Sequence, residues 1–268
     1  MPTDTRYEDA EKYLFDGNWY ENSELAHLPA LLGGVRRMVD IGASLGPYTL
    51  CANRVLSNAD IYAIEANPRT FERLEVFCRA AAAQSGNRLH PVHTAMGSEK
   101  GQIDFFIPTL ESSCLPLTSS TFKNPAITND WEKVTVDCMT LDGLCAEQPP
   151  DFVKMDVEGA EYRVLLGSQR ILRESQCRFL IEVHPWGDPT LQKRPEHVFQ
   201  FLNKFGYSFR RVARHWLFEK RGEPSVIRAV KVQAITVVMR CLPLKEALKK
   251  VVLWTDRRKQ QKPPAEKA

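Results

Sequence analysis

The segment Val39–Thr49 constrains the fold of this chain more than any other, because a short apolar strand runs there into a turn with two glycines. Its apolar residues suit a buried parallel strand, and Asp40 adds a carboxylate near the end of that strand. Gly42 and Gly46 lack a Cβ atom, so the backbone can turn sharply and a ligand can approach it closely. Pro47 suits the first turn of a helix. The segment therefore predicts a strand, a ligand-binding loop and a helix N-terminus.

The next predicted strand, Ile61–Glu65, indicates that the ligand carries adenosine. Glu65 follows Gly46 at about the 20-residue distance at which a βαβ unit brings an acid to a ribose diol. A dinucleotide fingerprint would read G-x-G-x-x-G, whereas this loop reads Asp-x-Gly-x-x-x-Gly from Asp40. The acid before the first glycine favours a cationic ligand over a pyrophosphate.

Four blocks of the sequence resemble the FkbM-type S-adenosylmethionine-dependent methyltransferases. They are the glycine loop, Ile64–Leu74, Thr94–Gly97 with Gly101, and Lys154–Glu161, of which the last is the most specific. The resemblance covers a little over half of the chain, and Ser44 stands where the family usually has Asn. It implies a class I (Rossmann-like) methyltransferase, an α/β fold with a doubly wound, mostly parallel sheet. It also implies methylation of a hydroxyl on a sugar, glycan or natural product acceptor.

The resemblance and the strand ends together predict the donor-binding residues. Ala95 and Met96 are expected to contact the adenine edge, and the alternative for Met96 is a place in the core. The full predicted set is Asp40, Gly42, Ser44, Gly46, Tyr48, Glu65, Ala66, Asn67, Ala95 and Met96.

Catalytic residues are expected where the fourth and fifth parallel strands end. Asp156 closes the fourth strand with Glu158 close behind it, and His184 closes the fifth. Two mechanisms remain open at this stage. Either Asp156 or His184 takes the acceptor proton, or a divalent metal is held by Asp156 with Glu182 or His184. The alternative role for Glu182 and His184 is hydrogen bonding to loops at the sheet edge.

Periodicity predicts an alternation of strands and helices that one strand pair interrupts. The segment Pro108–Asp130 inside that pair is predicted to be an acceptor lid or a mobile loop. Val226–Met239 fits a strand or a buried helix equally well. Helices are predicted over 48–56, 69–83, 161–172 and 196–204, parallel strands over 89–94, 151–156 and 178–184, the inserted pair over 103–107 and 132–136, and a final pair over 207–212 and 215–219.

The chain is expected to comprise a helical cap (1–37), the methyltransferase domain (38–222) and a C-terminal extension (223–268). Residues 240–268 contain nine Lys/Arg and three Asp/Glu, a net +6, so the other 239 residues sum to −3 within the total of +3. This distribution argues against a nucleic-acid substrate. The basic amphipathic stretch 244–259 is expected to dock on its own domain rather than on a membrane surface.

The seven cysteines include no C-x-x-C pair, and the N-terminus lacks the apolar core of a signal peptide. No apolar run is long enough to cross a bilayer, so a soluble protein of the cytoplasm is expected. Two other functions remain as alternatives. One is an NAD-dependent oxidoreductase of Rossmann type, and the other is an inactive methyltransferase-like scaffold whose basic tail binds a membrane or an acidic partner.

Overall fold

A seven-stranded sheet forms the centre of this protein, seen in a computed structural model that describes residues 22–108, 131–222 and 225–241. The strands, in chain order, are β1 Arg37–Ile41, β2 Asp60–Glu65, β3 Arg88–His93, β4 Ala95–Met96, β5 Gly101–Pro108, β6 Trp131–Met139, β7 Phe152–Met155, β8 Arg178–Ile181, β9 Tyr207–Val212 and β10 His215–Lys220. The central sheet has the order β3-β2-β1-β7-β8-β10-β9. Strands β3 to β8 in this order pair in parallel, and β10 pairs antiparallel with both β8 and β9. This confirms the expected mostly parallel α/β sheet.

Helices cover both faces of the sheet because successive residues of each strand point to opposite faces. Val39, Val153 and Phe179 pack in one buried cluster with the helices that follow β7 and β8. Their neighbours Met38, Phe152 and Leu180 pack in a second cluster with the helices around β1. The helices are α1 Asn22–Leu25, α2 Leu28–Leu31, α3 Pro47–Val55, α4 Pro68–Ala82, α5 Leu141–Leu144, α6 Glu161–Leu166, α7 Gln169–Glu174, α8 Glu196–Lys204 and α9 Ser225–Cys241.

The predicted strand pair is confirmed, and it forms a second sheet rather than part of the first. This sheet has the order β4-β6-β5, in which β6 pairs antiparallel with β5 and parallel with β4. Its small core consists of Ala95, Phe105, Ile107, Val136 and Cys138. The insertion therefore adds a separate layer beside the central sheet.

The predicted helix over 161–172 is wrong as a single element, because it is divided into α6 and α7 at Gly167 and Ser168. A β-carbon on Gly167 would lie 2.1 Å from the carbonyl oxygen of Gly97, so the backbone passes close to the loop after β4. The Asp142 carboxylate accepts hydrogen bonds from the backbone N–H groups of Arg170 at 2.7 Å and Ile171 at 3.0 Å. These bonds satisfy donors that a new helix N-terminus leaves without intrahelical partners.

Two other elements refine the sequence-based predictions. Strand β8 ends at Ile181, three residues before the predicted end at His184. The ambiguous segment 226–239 is helical and belongs to α9. Several predictions concern residues outside the described ranges: most of the helical cap, the Ser-rich segment 109–130 and the basic stretch 244–259. Within the described ranges, no helix has the length and apolar character needed to span a membrane.

Candidate active site

The glycine loop between β1 and α3 lies directly against the segment that follows β7. Gly42 and Gly46 have φ values of 73° and 87°, in the left-handed region. A β-carbon on Gly42 would lie 1.8 Å from the carbonyl oxygen of Asp156. A β-carbon on Gly46 would lie 2.8 Å from a methyl carbon of Leu74. Gly42 is therefore required by close approach as well as by conformation, whereas Gly46 is required mainly by its conformation. The loop and the Asp156 backbone form one contact surface.

Glu65 at the end of β2 fixes the shape of this loop. Its Oε2 accepts a hydrogen bond from the backbone N–H of Ser44 at 2.8 Å, and its Oε1 accepts one from Asn67 at 2.7 Å. Burial raises the pKa of the Glu65 carboxyl, although these two N–H groups and Lys154 act to lower it. Each oxygen keeps a second lone pair that a ligand hydroxyl can use.

The other predicted donor-binding residues near the loop have structural contacts of their own. Ser44 has a φ of 53°, a conformation that Asn adopts more readily than Ser. Asn67 caps α4 by accepting a hydrogen bond from the Arg69 backbone N–H at 3.0 Å. Tyr48 is fully buried in the first turn of α3. These residues therefore have structural roles in the loop and at the starts of α3 and α4.

Ala66, predicted as a donor-binding residue, and Ala95 and Met96, predicted to contact adenine, lie where the two sheets meet. Ala66 is half-buried, and its carbonyl lies 3.1 Å from His93 Nε2. Ala95 and Met96 form β4 and are both buried. Met96 packs in the larger core cluster of the central sheet, which favours the core alternative for its side chain.

Lys154 joins the acids of β1 and β7 through a buried ammonium group. Its Nζ lies 3.7 Å from Asp40 Oδ1 and 3.8 Å from Asp156 Oδ2. It donates a hydrogen bond to the carbonyl of Gly42 at 3.3 Å and lies 4.5 Å from the centroid of the Tyr48 ring. A cation in this position balances part of the acidic charge and ties the glycine loop to the sheet.

The two acids beside Lys154 have shifted pKa values in opposite directions. Burial raises the pKa of Asp40, although Lys154 and the hydrogen bond from Thr49 Oγ1 at 2.8 Å oppose the shift. Burial also acts to raise the pKa of Asp156, but the cations Lys154 and His184 outweigh it and leave that pKa lowered. Asp156 is therefore a carboxylate at neutral pH.

His184 lies among three acids in the turn after β8. Its Nδ1 is 2.6 Å from Glu161 Oε1, and its Nε2 is 3.5 Å from Glu158 Oε2 and 3.6 Å from Asp156 Oδ1. Burial acts to lower the pKa of His184, but these carboxylates outweigh it and raise the pKa to about 10. In this state the side chain is an imidazolium, which donates protons rather than accepts them.

Glu158 lies next to His184 on a turn where its backbone has a left-handed conformation. It has a φ of 53°, and its carbonyl accepts a hydrogen bond from Trp186 Nε1 at 3.0 Å. Burial raises the pKa of its carboxyl to about 8, with His184 opposing and Asp156 adding to the shift. Its carboxyl therefore titrates close to neutral pH.

A second group of ligand atoms shares Asp156 but extends toward β10. Glu182 and His215 contribute one atom each, and all three atoms lie within 4.8 Å of one another. His215 is fully buried, and burial and Lys154 lower its pKa to about 3, so its imidazole is neutral. The structure thus brings Asp156 together with Glu158 and His184 on one side and with Glu182 and His215 on the other.

Three residues of this site carried no predicted role. Lys154 and Glu161 lie within the most specific sequence block, so their position in that block was the available signal. His215 was predicted only as the first residue of a strand. Its place in the site depends on the antiparallel direction of β10, which brings the start of that strand to the carboxyl ends of its neighbours.

Comparison with known protein families identifies one family for most of the chain. Residues 40–209 match the family described as "Methyltransferase FkbM domain". The hexuronic acid methyltransferase AglP of Haloferax volcanii is 27% identical over 160 residues, which is 56% of this chain and 56% of that protein. The chain therefore spans about half the length of this curated relative.

Two solved structures illustrate the similarity in three dimensions. The methyltransferase FkbM from Methylobacillus flagellatus KT aligns over 69% of this chain and 43% of that chain, with 17% identity and a TM-score of 0.47. The O-methyltransferase from Bacillus cereus in complex with SAH aligns over 81% of this chain and 91% of that chain, with 14% identity and a TM-score of 0.44. The matched range 40–209 contains every predicted site residue and ends before His215.

Proposed function

We propose that this chain, which belongs to the FkbM methyltransferase domain family, transfers a methyl group from S-adenosylmethionine to a hydroxyl of a sugar or glycan. The match over residues 40–209 carries the proposal, and it confirms the family resemblance that the four sequence blocks indicated. It gives no support to an NAD-dependent oxidoreductase or to an inactive scaffold.

The glycine loop supports the binding of S-adenosylmethionine, which supplies an electrophilic methyl group on a sulfonium. The left-handed Gly42 lets the loop pack directly against the Asp156 carbonyl, which sets the shape of the surface offered to a ligand. Glu65 can accept a hydrogen bond from a ribose hydroxyl without giving up its two backbone donors. The carboxylate of Asp156 favours positive charge nearby. These features fit a cationic adenosine ligand.

A sugar hydroxyl is the acceptor class that the comparisons support. The relative AglP is named for a hexuronic acid, and the alignment with it covers 160 residues. Because the methyl group is already electrophilic, the protein mainly aligns the acceptor, and such alignment can supply about 7–11 kcal/mol of barrier reduction. The remaining requirement is a group that takes the hydroxyl proton.

Asp156 is the residue to which we assign that role, with Glu158 as the second candidate. Asp156 is ionised and lies beside the glycine loop. Glu158 can relay the proton, because its pKa of about 8 lies close to neutral pH. His184, as an imidazolium, orients these two carboxylates. The metal-assisted route would instead use Asp156 with Glu182 or His184 as ligands.

Calorimetry and a transfer assay test the proposal. S-adenosylhomocysteine should bind to the full chain with a measurable heat, whereas NAD should give none. Radioactive methyl groups from S-adenosylmethionine should then appear on a hexuronic acid or on a glycan from cell extracts. Binding of NAD without binding of S-adenosylhomocysteine would refute the proposed donor.

We also place the protein in the cytoplasm. In the part of the chain that the structure describes, the five cysteines are free thiols and four of them are buried. Free thiols persist in a reducing compartment. Intact-mass measurement after alkylation in denaturant of freshly lysed cells tests this, since denaturation exposes the buried thiols and only disulfide-bonded cysteines would escape labelling.

A further inference from the structure

His215, the first residue of β10, is a buried histidine whose ring nitrogens make no hydrogen bond to the described residues. It is 0% exposed, and neither ring nitrogen has a hydrogen-bond partner among the described residues. Buried polar side-chain atoms nearly always have a partner, so each exception asks for an explanation such as an ion that completes the site. Packing accounts for one face of the ring, which lies 5.6 Å from the Tyr48 ring between centroids.

The topology of the sheet brings two acids to this imidazole. Asp156 and Glu182 follow the parallel strands β7 and β8, and His215 begins the antiparallel strand β10. The register that pairs Trp216 with Ile181 places His215 next to Glu182, and their Nε2 and Oε2 atoms lie 3.8 Å apart. The three side chains therefore converge from three adjacent strands at one edge.

The donor set has the chemistry of a metal site. One atom from each of Asp156, Glu182 and His215 lies within 4.8 Å of the other two. Asp156 Oδ1 is also buried without a hydrogen-bond partner among the described residues, while Oδ2 faces Lys154 at 3.8 Å. Two carboxylates and an imidazole suit Mn²⁺ or Zn²⁺ and leave coordination positions for other ligands.

The neighbouring group of Asp156, Glu158 and His184 makes a weaker case for an ion. His184 Nδ1 is hydrogen bonded to Glu161 at 2.6 Å, and its Nε2 is shared between Glu158 and Asp156 at 3.5 and 3.6 Å. His184 thus has one ring nitrogen hydrogen bonded within the protein, whereas His215 has neither among the described residues.

We propose that Asp156, Glu182 and His215 bind one divalent cation of the Mn²⁺ or Zn²⁺ type. Binding of the ion needs only these three residues. Its use rests on the proposed function in its metal-assisted form, in which an ion at this position would hold the acceptor hydroxyl and lower its pKa. Asp156 would then act as a ligand, and Glu158 would be left to take the proton. This ligand set differs from the one expected from sequence, because it includes His215 and leaves His184 as a hydrogen-bonded neighbour.

Titration of the chelator-treated full chain with Mn²⁺, followed by electron paramagnetic resonance of the free ion, tests the proposal. One ion should bind per chain, and the spin-echo spectrum of bound Mn²⁺ should show coupling to an imidazole nitrogen. His215→Gln should remove that coupling and weaken binding by at least 10–100-fold, the loss that even an outer-shell partner of a metal causes. The control His90→Gln, at a histidine that contacts Asp60 on the other edge of the sheet, should change neither.

Glu182→Gln keeps the test decisive if His215→Gln fails to fold, because Glu182 is partly exposed. Folding of both variants is checked by circular dichroism and by S-adenosylhomocysteine binding. Absence of Mn²⁺ binding to the wild type, or full binding to Glu182→Gln, would overturn the proposal. Loss of binding in His184→Gln but not in His215→Gln would also overturn it, in favour of the neighbouring group. Failure of the proposed function is distinguishable, since the metal-free protein would then not bind S-adenosylhomocysteine.

Discussion

The acids at the two ends of the parallel strands differ in the groups that balance their charge. At the amino ends, Asp60 is paired with Arg88 through two contacts of 2.7 Å and with His90 at 3.0 Å. Asp151 accepts hydrogen bonds from the backbone N–H groups of Arg36 and Arg37 at 2.7 and 2.9 Å. Each of these acids is matched by donors that stabilise its charge, and the hydrogen bond from Arg88 lowers the pKa of Asp60.

At the carboxyl ends, acids are buried against one another with fewer cations between them. Asp40 and Asp156 share the ammonium of Lys154, and Glu158 and Asp156 share the imidazolium of His184. Burial raises the pKa values of Asp40 and Glu158. An acid in a parallel sheet thus stabilises the fold where its charge is fully matched, and it is available for chemistry where its charge is not.

The largest expected effect comes from Asp156→Asn, which keeps the size of the side chain and removes its charge. Turnover should fall by about 10²–10⁴-fold, the contribution of a general base. S-adenosylhomocysteine should still bind, as calorimetry would show. The matched control is Asp60→Asn at the amino end, for which turnover should be unchanged. Equal losses in both variants would erase the distinction between the two ends.

Gly42→Ala should have the next largest effect, because it places a β-carbon 1.8 Å from the Asp156 carbonyl oxygen at a φ of 73°. Overpacking and left-handed strain each cost about 1–3 kcal/mol, so we expect a loss of about 3 kcal/mol in the free energy of unfolding, measured by urea denaturation. Gly33→Ala is the control, since a β-carbon there meets nothing within 4 Å. A stable Gly42→Ala variant would show that the loop can retreat from β7.

Glu65→Gln tests whether the carboxylate at the end of β2 is needed for the geometry of the glycine loop. A glutamine offers one acceptor oxygen where Glu65 has two, so either Ser44 or Asn67 loses its backbone hydrogen bond. The affinity for S-adenosylhomocysteine should fall by the equivalent of about 1.5–3 kcal/mol, measured by calorimetry. Glu75→Gln, on the exposed surface of α4, should leave the affinity unchanged. Unchanged affinity in Glu65→Gln would mean that the loop geometry does not depend on this charge.

The smallest effect is the loss of stability in Asp60→Asn. The pKa of Asp60 is lowered in the folded state, so the stabilisation is present above the unfolded pKa of about 3.9 and is lost as the pH falls through the folded value. At neutral pH the variant should lose up to about 1 kcal/mol, because Arg88 is largely exposed. Its urea midpoint should converge with that of the wild type in strong acid. A constant difference at every pH would exclude the charge as the cause.

The elements of the central sheet were predictable because a run of apolar residues bounded by turn residues predicts a strand. Helix α8 was predicted with its observed limits, 196–204, from its helical spacing. The break between α6 and α7 was not predictable, since it depends on the approach of Gly167 to Gly97 and on capping by Asp142, two contacts between distant segments. Local pattern fixes the type of an element, whereas its limits depend on what it packs against.

The same distinction between local pattern and contacts of distant segments applies to the residues of the site. Asp40, Glu65 and Asp156 were placed from sequence because residues at the carboxyl ends of parallel strands meet at one edge. His215 could not be placed in this way, because its strand runs in the opposite direction and that direction follows only from the assembled sheet. The protonated state of His184 was also beyond prediction, since it results from three acids of the segment 156–161 that only the folded sheet brings to the loop after β8.

The contact between Gly42 and the Asp156 carbonyl has a consequence for protein engineering. No side chain fits between the glycine loop and the end of β7. These two segments can therefore be exchanged only as a pair. A loop transplanted from another methyltransferase would need glycine at this position. The backbone that follows β7 would also have to lie at the same distance from that glycine. Libraries that aim to change the donor should therefore vary residues 40–46 and 154–158 together, because a change in one segment alone alters the surface on which the other rests.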